Sequence, residues 1–174
     1  PLTGKGVVVG IIDDGCSFAH PAFRSGNNTR VKYLWHQSKP NGGGWATPAD
    51  FGYGAEIDDT AINAAIAGSG NSVEGTYTSL AYDMPMSSHG THVMGIAAAN
   101  AAPTNTKGTE GVAPEADIIF VQLPVDAITS GGPVLYNHIL DGVLYIFSRA
   151  RQLGKPAVIN ISYGGYAGPH DGST

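Results

Sequence analysis

Three short aliphatic runs carry no polar alternation: residues 6–12, 117–123 and 157–161. A strand with one wet face alternates apolar and polar residues, whereas a strand buried on both faces does not. Between the second and third runs, Val134, Leu135, His138, Ile139, Val143, Ile146, Phe147 and Ala150 keep the three- and four-residue spacing of a helix, which Gly154-Lys155-Pro156 ends. Strand, helix and strand at this spacing form a βαβ unit, and such units build parallel sheets. The expected fold class is therefore α/β with a parallel sheet. A second helix is expected over 89–101. Val93, Met94, Ile96, Ala97, Ala98 and Ala99 cover most of its circumference, which predicts burial all round.

Residues 24–86 are less legible. Val31-Lys32-Tyr33-Leu34-Trp35 reads as a strand, and Asp58-Asp59-Thr60-Ala61 followed by Ile62, Ala65 and Ile66 reads as a short capped helix. Residues 42–44 and 68–72 read as loops. No internal repeat and no linker-like tract is present.

At 174 residues the chain is one domain or a large piece of one, and its 42% hydrophobic content is enough for a real core. A net charge of -5 with 9 Lys and Arg argues against a nucleic-acid partner, which requires a basic footprint. No apolar run reaches membrane-spanning length, and no signal-peptide pattern is visible from Pro1 onward. Cys16 stands alone, so no internal disulfide forms, and it is expected to pack as a small buried hydrophobe.

Ligands of parallel α/β sheets sit at the carboxyl ends of strands. Asp13 and Asp14 follow the first strand, Ser162-Tyr163-Gly164-Gly165 follows the last, and His89 stands at a helix entrance. Topology can bring all three segments to one edge. A buried acid that accepts from one imidazole nitrogen fixes the tautomer, and the other nitrogen can then take a proton from a hydroxyl. Taken singly, Asp13 reads rather as part of an Asp-Gly turn and His89 equally as a helix-cap residue, but together, on this sheet topology, they read as a pair. Gly90 would permit close approach of another backbone.

The whole pattern resembles the subtilisin-like serine proteases, or subtilases. Val9-Gly10-Ile11-Ile12-Asp13-Asp14-Gly15 with Ser17-Phe18-Ala19-His20-Pro21 is similar to their aspartate motif, and Ser88-His89-Gly90-Thr91-His92-Val93-Met94-Gly95 to their histidine motif. Gly111-Val112-Ala113-Pro114-Glu115-Ala116 resembles the segment before the next strand, and Val158-Ile159-Asn160-Ile161-Ser162-Tyr163-Gly164-Gly165 the substrate-lining strand. The resemblance implies a subtilisin-like three-layer fold with a parallel sheet, incomplete in this chain. It implies Asp13 as orienting acid and His89 as general base of a serine endopeptidase. Asp14 stands where a Ser or Thr is common, and its role is open. Ser162, Tyr163 and Gly164 would pair with an extended peptide or protein substrate by strand addition. Ser130 and Gly131, with Gly132, resemble the opposing substrate strand, and Tyr163 replaces a frequent Leu.

No nucleophile is evident. Subtilases carry an oxyanion-hole Asn and a nucleophilic Ser well beyond the substrate strand, and Ser173, in Gly172-Ser173-Thr174, lacks the small-residue helix that follows such a serine. Residues 1–174 are therefore expected to be the N-terminal part of a subtilase catalytic domain, with 24–86 a family-specific insertion. A C-terminal segment or chain would bring Asn and Ser. The alternative is a catalytically dead subtilase-like module that binds peptides. The resemblance favours a secreted or cell-surface setting without assigning one.

Other polar residues have plainer readings. His89 and His92 lack a third metal ligand. Asp50, Glu56, Asp58 and Asp59 are compatible with calcium but read better as a solvated loop, so no cofactor is expected. His20 reads as structural beside Pro21, and His92 as packed or hydrogen-bonded within its helix. His36, His138 and His170 read as surface groups. Trp45, Tyr77 and Tyr82 read as loop packing.

Overall fold

The computed structural model describes residues 2–84, 88–100 and 109–164. Ser173, His170 and Gly165 lie outside the described residues. In chain order the elements are β1 (Val8–Asp13), a 3-10 turn (Pro21–Phe23), β2 (Arg24–Ser25), β3 (Asn28–Thr29), β4 (Val31–His36) and β5 (Ala55–Asp58). Then come α1 (Asp59–Gly68), α2 (Val73–Ser79), α3 (His89–Ala98), β6 (Asp117–Gln122), α4 (Val125–Ser130), α5 (Gly132–Gln152) and β7 (Ala157–Ile161).

The main sheet has the order β5-β4-β6-β1-β7. β1 pairs in parallel with β6 on one side and β7 on the other, and β4 extends the parallel set beyond β6. β5 closes that end antiparallel to β4. The central strand is thus buried on both faces, which is why its sequence does not alternate. Ile11 enters a core shared with Phe18, Leu34, Ile62, Met94 and Phe120. Val8 and Ile12 enter a second core with Trp35, Ile119, Val121, Tyr145 and Ile146. The first core lies under α1, α2 and α3, and the second lies under α5.

At Gly10 the α5 helix packs tightly against the sheet. A methyl group there would stand 2.6 Å and 2.9 Å from the Ile146 Cγ2 and Cδ1 atoms, and 3.3 Å from the Ile159 Cγ1 atom. Ile146 is β-branched and stiff, so it cannot yield freely. Gly10→Ala is expected to cost about 1–3 kcal/mol by overpacking, read as a lowered thermal midpoint of the full-length protein. An unchanged midpoint would mean that α5 rides higher than described.

The strands expected at 6–12, 31–35, 117–123 and 157–161 are present, as is the long helix. Asp58 caps α1, accepting from the Ala61 amide at 2.9 Å. Tyr77, Tyr82 and Trp45 are buried packing residues, and Cys16 is a free buried thiol. The stretch 24–86 contributes β4 and β5 to the main sheet itself.

α3 departs from the expectation of burial all round. Gly90, Met94 and Ala98 face the core, but Ile96 is 73% exposed. With Val93, Ala97, Val158 and Val112, itself 82% exposed, Ile96 lines an open apolar groove of about 550 Å³. No described element covers it. The outer stripe of α5, with Tyr136, Leu140, Leu144 and Phe147, is likewise half exposed. Among the described residues, no helix is long and apolar enough to cross a membrane.

Candidate active site

β1 delivers Asp13 to the carboxyl edge of the sheet. Its partners on both sides fix the backbone there, and the Leu123 amide donates to the Asp13 carbonyl at 2.8 Å. The Asp13 side chain is fully buried. α3 begins beside it, with Ser88 as N-cap, its hydroxyl accepting from the Thr91 amide at 3.1 Å. The His89 Nδ1 atom lies 2.9 Å and 3.1 Å from the two Asp13 carboxylate oxygens.

Gly90 makes this contact possible. A Cβ at that position would collide with the Gly15 carbonyl oxygen and stand 2.7 Å from the Asp13 Cβ atom and 2.9 Å from the Phe120 ring. Backbone and packed ring cannot move aside, so the first turn of α3 meets the end of β1 only because residue 90 has no side chain.

An ionised carboxylate only accepts hydrogen bonds, so the hydrogen on this imidazole resides on Nδ1 and the Nε2 lone pair is left free. Nε2 has no hydrogen-bond partner among the described residues, and 56% of the side chain is exposed. The bond to Asp13 and its charge raise the imidazole above its usual value; slight burial opposes, and the Asp14 charge adds to the rise. Burial pushes the Asp13 carboxyl up from the ordinary carboxylate range, against the pull of the His89 bond and of the Asp14 amide, which donates to Oδ1 at 2.8 Å. The geometry suits a base held in one tautomer and poised to accept a proton from the solvent side.

Support beneath the pair comes from Gln122 and Tyr82, which the sequence reading did not mark as site residues. Gln122 is the β6 residue in register with Asp13 and is buried. The Tyr82 hydroxyl lies 3.0 Å from the Gln122 Oε1 atom and accepts from the Cys16 amide at 3.1 Å. The signal was present: a glutamine closing a strand that is apolar from Ile118 to Val121 needs a buried partner.

Ser162, Tyr163 and Gly164 continue past β7 at the same edge. The Tyr163 ring centroid is 6.3 Å from that of His89, in a T-shaped arrangement. Burial raises the Tyr163 phenol above its usual value. Ser162 is exposed and its Oγ atom bonds the Asn160 amide group at 2.7 Å. The extended segment expected at Ser130 and Gly131 is not extended. Ser130 ends α4, while Gly131 and Gly132 adopt left-handed backbone with φ of 62° and 53° that turns directly into α5. A glycine pair reads as a turn as readily as a strand, and the turn forms here.

The remaining histidines and the acidic set take the following places. His36 is half-buried, and burial, with the nearby Lys39 charge, holds its imidazole down to about 4. His138 is half-buried, its ring nitrogen 3.4 Å from the Tyr53 hydroxyl. His92 is exposed rather than packed within its helix. His20 is structural, its Nδ1 accepting from the Ala22 amide at 3.1 Å. The acidic set does not converge: Asp58 caps α1, Asp59 pairs with Lys32 at 2.7 Å, and Asp50 and Glu56 pair with Arg149. Among the described residues no group of three or more His, Cys, Asp or Glu side chains is placed to hold a metal ion.

Known proteins resemble this chain in sequence and in fold. An intracellular serine protease of Paenibacillus polymyxa is 28% identical over 132 residues, which are 76% of this chain and 36% of that protein. The structure of the CspB protease of Clostridium perfringens superposes with a TM-score of 0.76 at 28% identity, over 99% of this chain and 32% of that one. The chain thus spans about a third of the length of both relatives. A relative named as intracellular removes the preference for a secreted or cell-surface setting. The model of the subtilase family matches residues 4–173, nearly end to end, and the chain belongs to that family.

Proposed function

We propose that this chain supplies the acid and the base of a serine endopeptidase whose nucleophile lies C-terminal to residue 174. The carrying observation is the buried Asp13 carboxylate bonded to the Nδ1 atom of a solvent-facing His89. In this reading the His89 Nε2 atom takes the proton from a serine hydroxyl as its oxygen attacks the peptide carbonyl carbon. The imidazolium formed is stabilised by Asp13, and it returns the proton to the leaving amine as the C–N bond breaks. Water then repeats the sequence on the acyl ester.

The substrate is a peptide or protein segment in extended form. Ser162, Tyr163 and Gly164 would pair with its main chain, with Tyr163 walling the pocket next to His89. Ser130 and Gly131, in helical and left-handed backbone, offer no matching edge, so they would line the opposite wall by contact alone. The apolar groove along α3 and the edge of β7 support a continuing segment: exposed apolar surface on this scale marks a place where other chain packs. That the matched stretches make up only 36% and 32% of the relatives' own lengths points the same way.

The test is labelling of the native full-length protein with a fluorophosphonate, followed by peptide mapping and intact-mass measurement under denaturing and native conditions. One labelled serine beyond residue 174, on the same polypeptide or on a second chain held with this one, is the expected result. A native gene product without a labelled serine, whose peptide affinity is unchanged by His89→Ala, would establish the dead peptide-binding module instead.

A further inference from the structure

We infer that Asp14 is a positioning residue for His89: its carboxylate clamps the first two amides of α3 and so holds the main chain of the base, while Asp13 holds its ring. The inference rests on His89 acting as the base, and it assigns a task to a residue whose type gave none away.

The geometry is a two-point attachment of one residue to one dipeptide. The Asp14 Oδ2 atom accepts from the His89 amide at 3.2 Å, and Oδ1 accepts from the Gly90 amide at 2.8 Å. Oδ1 also receives the Ser88 hydroxyl at 3.4 Å, a weaker contact than the bond of that hydroxyl to the Gly15 carbonyl. The Asp13 oxygens take Nδ1 of the same histidine. Asp13 and Asp14 are themselves tied, because the Asp14 amide donates to Asp13 Oδ1 at 2.8 Å. A shift of either carboxylate relative to α3 would disturb both attachments.

Helix starts leave their first amides without intrahelical partners. Ser88 satisfies Thr91, and Asp14 satisfies His89 and Gly90, so the three leading donors are all matched. Gly90 and Ser88 are buried, which limits what water can do in place of the carboxylate. A hydroxyl at position 14 would offer one neutral oxygen to two amides that point at two separate oxygens here. A carboxylate offers both oxygens, and its negative charge complements the positive end of the helix dipole.

The charge has a second effect, on the ring. Among the described residues, the titratable groups around His89 are Asp13 and Asp14 at the end of β1 and Tyr163 beyond β7. Asp14 reinforces Asp13 in favouring the protonated imidazole. Its removal therefore lowers the pH at which His89 becomes a free base, while loosening the position of that base. The rate should fall and the acid limb should move downward, two effects of one substitution that a merely structural cap would not combine.

The experiment compares Asp14→Ala and Asp14→Asn with the unaltered full-length protein. Misplacement of a catalytic group by a fraction of an ångström to an ångström is worth about 10- to 100-fold, so Asp14→Ala should lower kcat by that factor with KM little changed. Asp14→Asn, which keeps one acceptor oxygen, should recover part of the loss. Both variants should shift the acid limb of kcat/KM to lower pH. If the alanine variant does not fold, the asparagine variant carries the test through its acid limb. In parallel, ¹⁵N-labelled protein reports the His89 and Gly90 amide protons, which should leave their downfield, carboxylate-bonded positions in Asp14→Ala, and move in Asp14→Asn. That readout and the titration of the His89 ring need no turnover, so they separate failure of the clamp from failure of the protease reading. Unmoved amide shifts would overturn the inference. So would a rise in KM at constant kcat, which would place Asp14 against the substrate.

Discussion

Exchange of His89 for Ala in the full-length protein is expected to lower kcat by about six orders of magnitude, leaving only the turnover that binding and oxyanion stabilisation give without a base. The size follows from the proposed division of labour. A serine hydroxyl at neutral pH is a poor nucleophile unless its proton leaves as the bond forms, and the free Nε2 atom is the acceptor on offer. Asp13→Asn should cost about 10⁴ by a different route. The asparagine amide can donate to Nδ1, which turns the ring to the tautomer with a hydrogen on Nε2 and so blocks proton uptake. It also removes the charge that raises the imidazole, so the residual activity should persist to lower pH than in the unaltered protein. The sign is fixed: the base works when neutral, and a lower imidazole value extends the neutral range downward. Steady-state kinetics across pH, at saturating and at low peptide, check both substitutions. An Asp13→Asn enzyme of unaltered kcat would remove Asp13 from the mechanism.

The second large effect concerns stability and lies on the opposite face. Arg149, on α5, meets Glu56, on β5, through two parallel bonds: Nε to Oε2 at 2.9 Å and Nη2 to Oε1 at 2.8 Å. The Tyr145 hydroxyl donates to Oε2 at 2.6 Å. The guanidinium lies 4.7 Å from the Tyr145 ring centroid and 5.7 Å from that of Tyr33, with Asp50 3.4 Å away. Only 6% of the Arg149 side chain is exposed. Burial alone would lower the guanidinium, and the bonds to Glu56 together with the neighbouring Tyr145, Glu56 and Asp50 groups more than offset it. Glu56→Ala leaves that cation buried with Asp50 as its remaining carboxylate, a change expected to cost about 3–5 kcal/mol. The double substitution Glu56→Leu with Arg149→Met removes charge and counter-charge together and should recover most of the loss. Thermal unfolding of the full-length protein compares them, and a Glu56→Ala midpoint equal to that of the parent would show the pair to be dispensable. Near room temperature the peptidase rate of the folded fraction should be unaffected, since the cluster touches none of Asp13, His89 or Tyr163.

The contrast between these two clusters shows what a sequence discloses. Asp13 and His89 stand out because each closes or opens an element whose own pattern is strong: a non-alternating strand and an apolar helix. Glu56 and Arg149 are 93 residues apart. Nothing near Glu56 marks it as half of a buried pair, so it read as one acid of a solvated loop. α2 escaped notice because Val73-Glu74-Gly75-Thr76-Tyr77-Thr78-Ser79 is poor in helix formers. It forms through the Ser72 cap and through Tyr77, whose hydroxyl accepts from the Ala19 amide at 3.2 Å, and both act through contacts rather than composition. Ile96 misled in the other direction: an apolar residue on a helix predicts a partner, and the partner is not among the described elements. Asp14 was visible as an acid, but its function depends on where α3 lands, which is a matter of tertiary approach across 75 residues.

The position of β1 between two parallel neighbours has a kinetic consequence. Strands paired on both sides open last, whereas an edge strand can part from the sheet in smaller and more frequent fluctuations. Asp13 therefore belongs to the slowest-exchanging part of the molecule. Warming would then unseat the acid only when the central strands part, so Asp13 should keep its place until the sheet as a whole gives way.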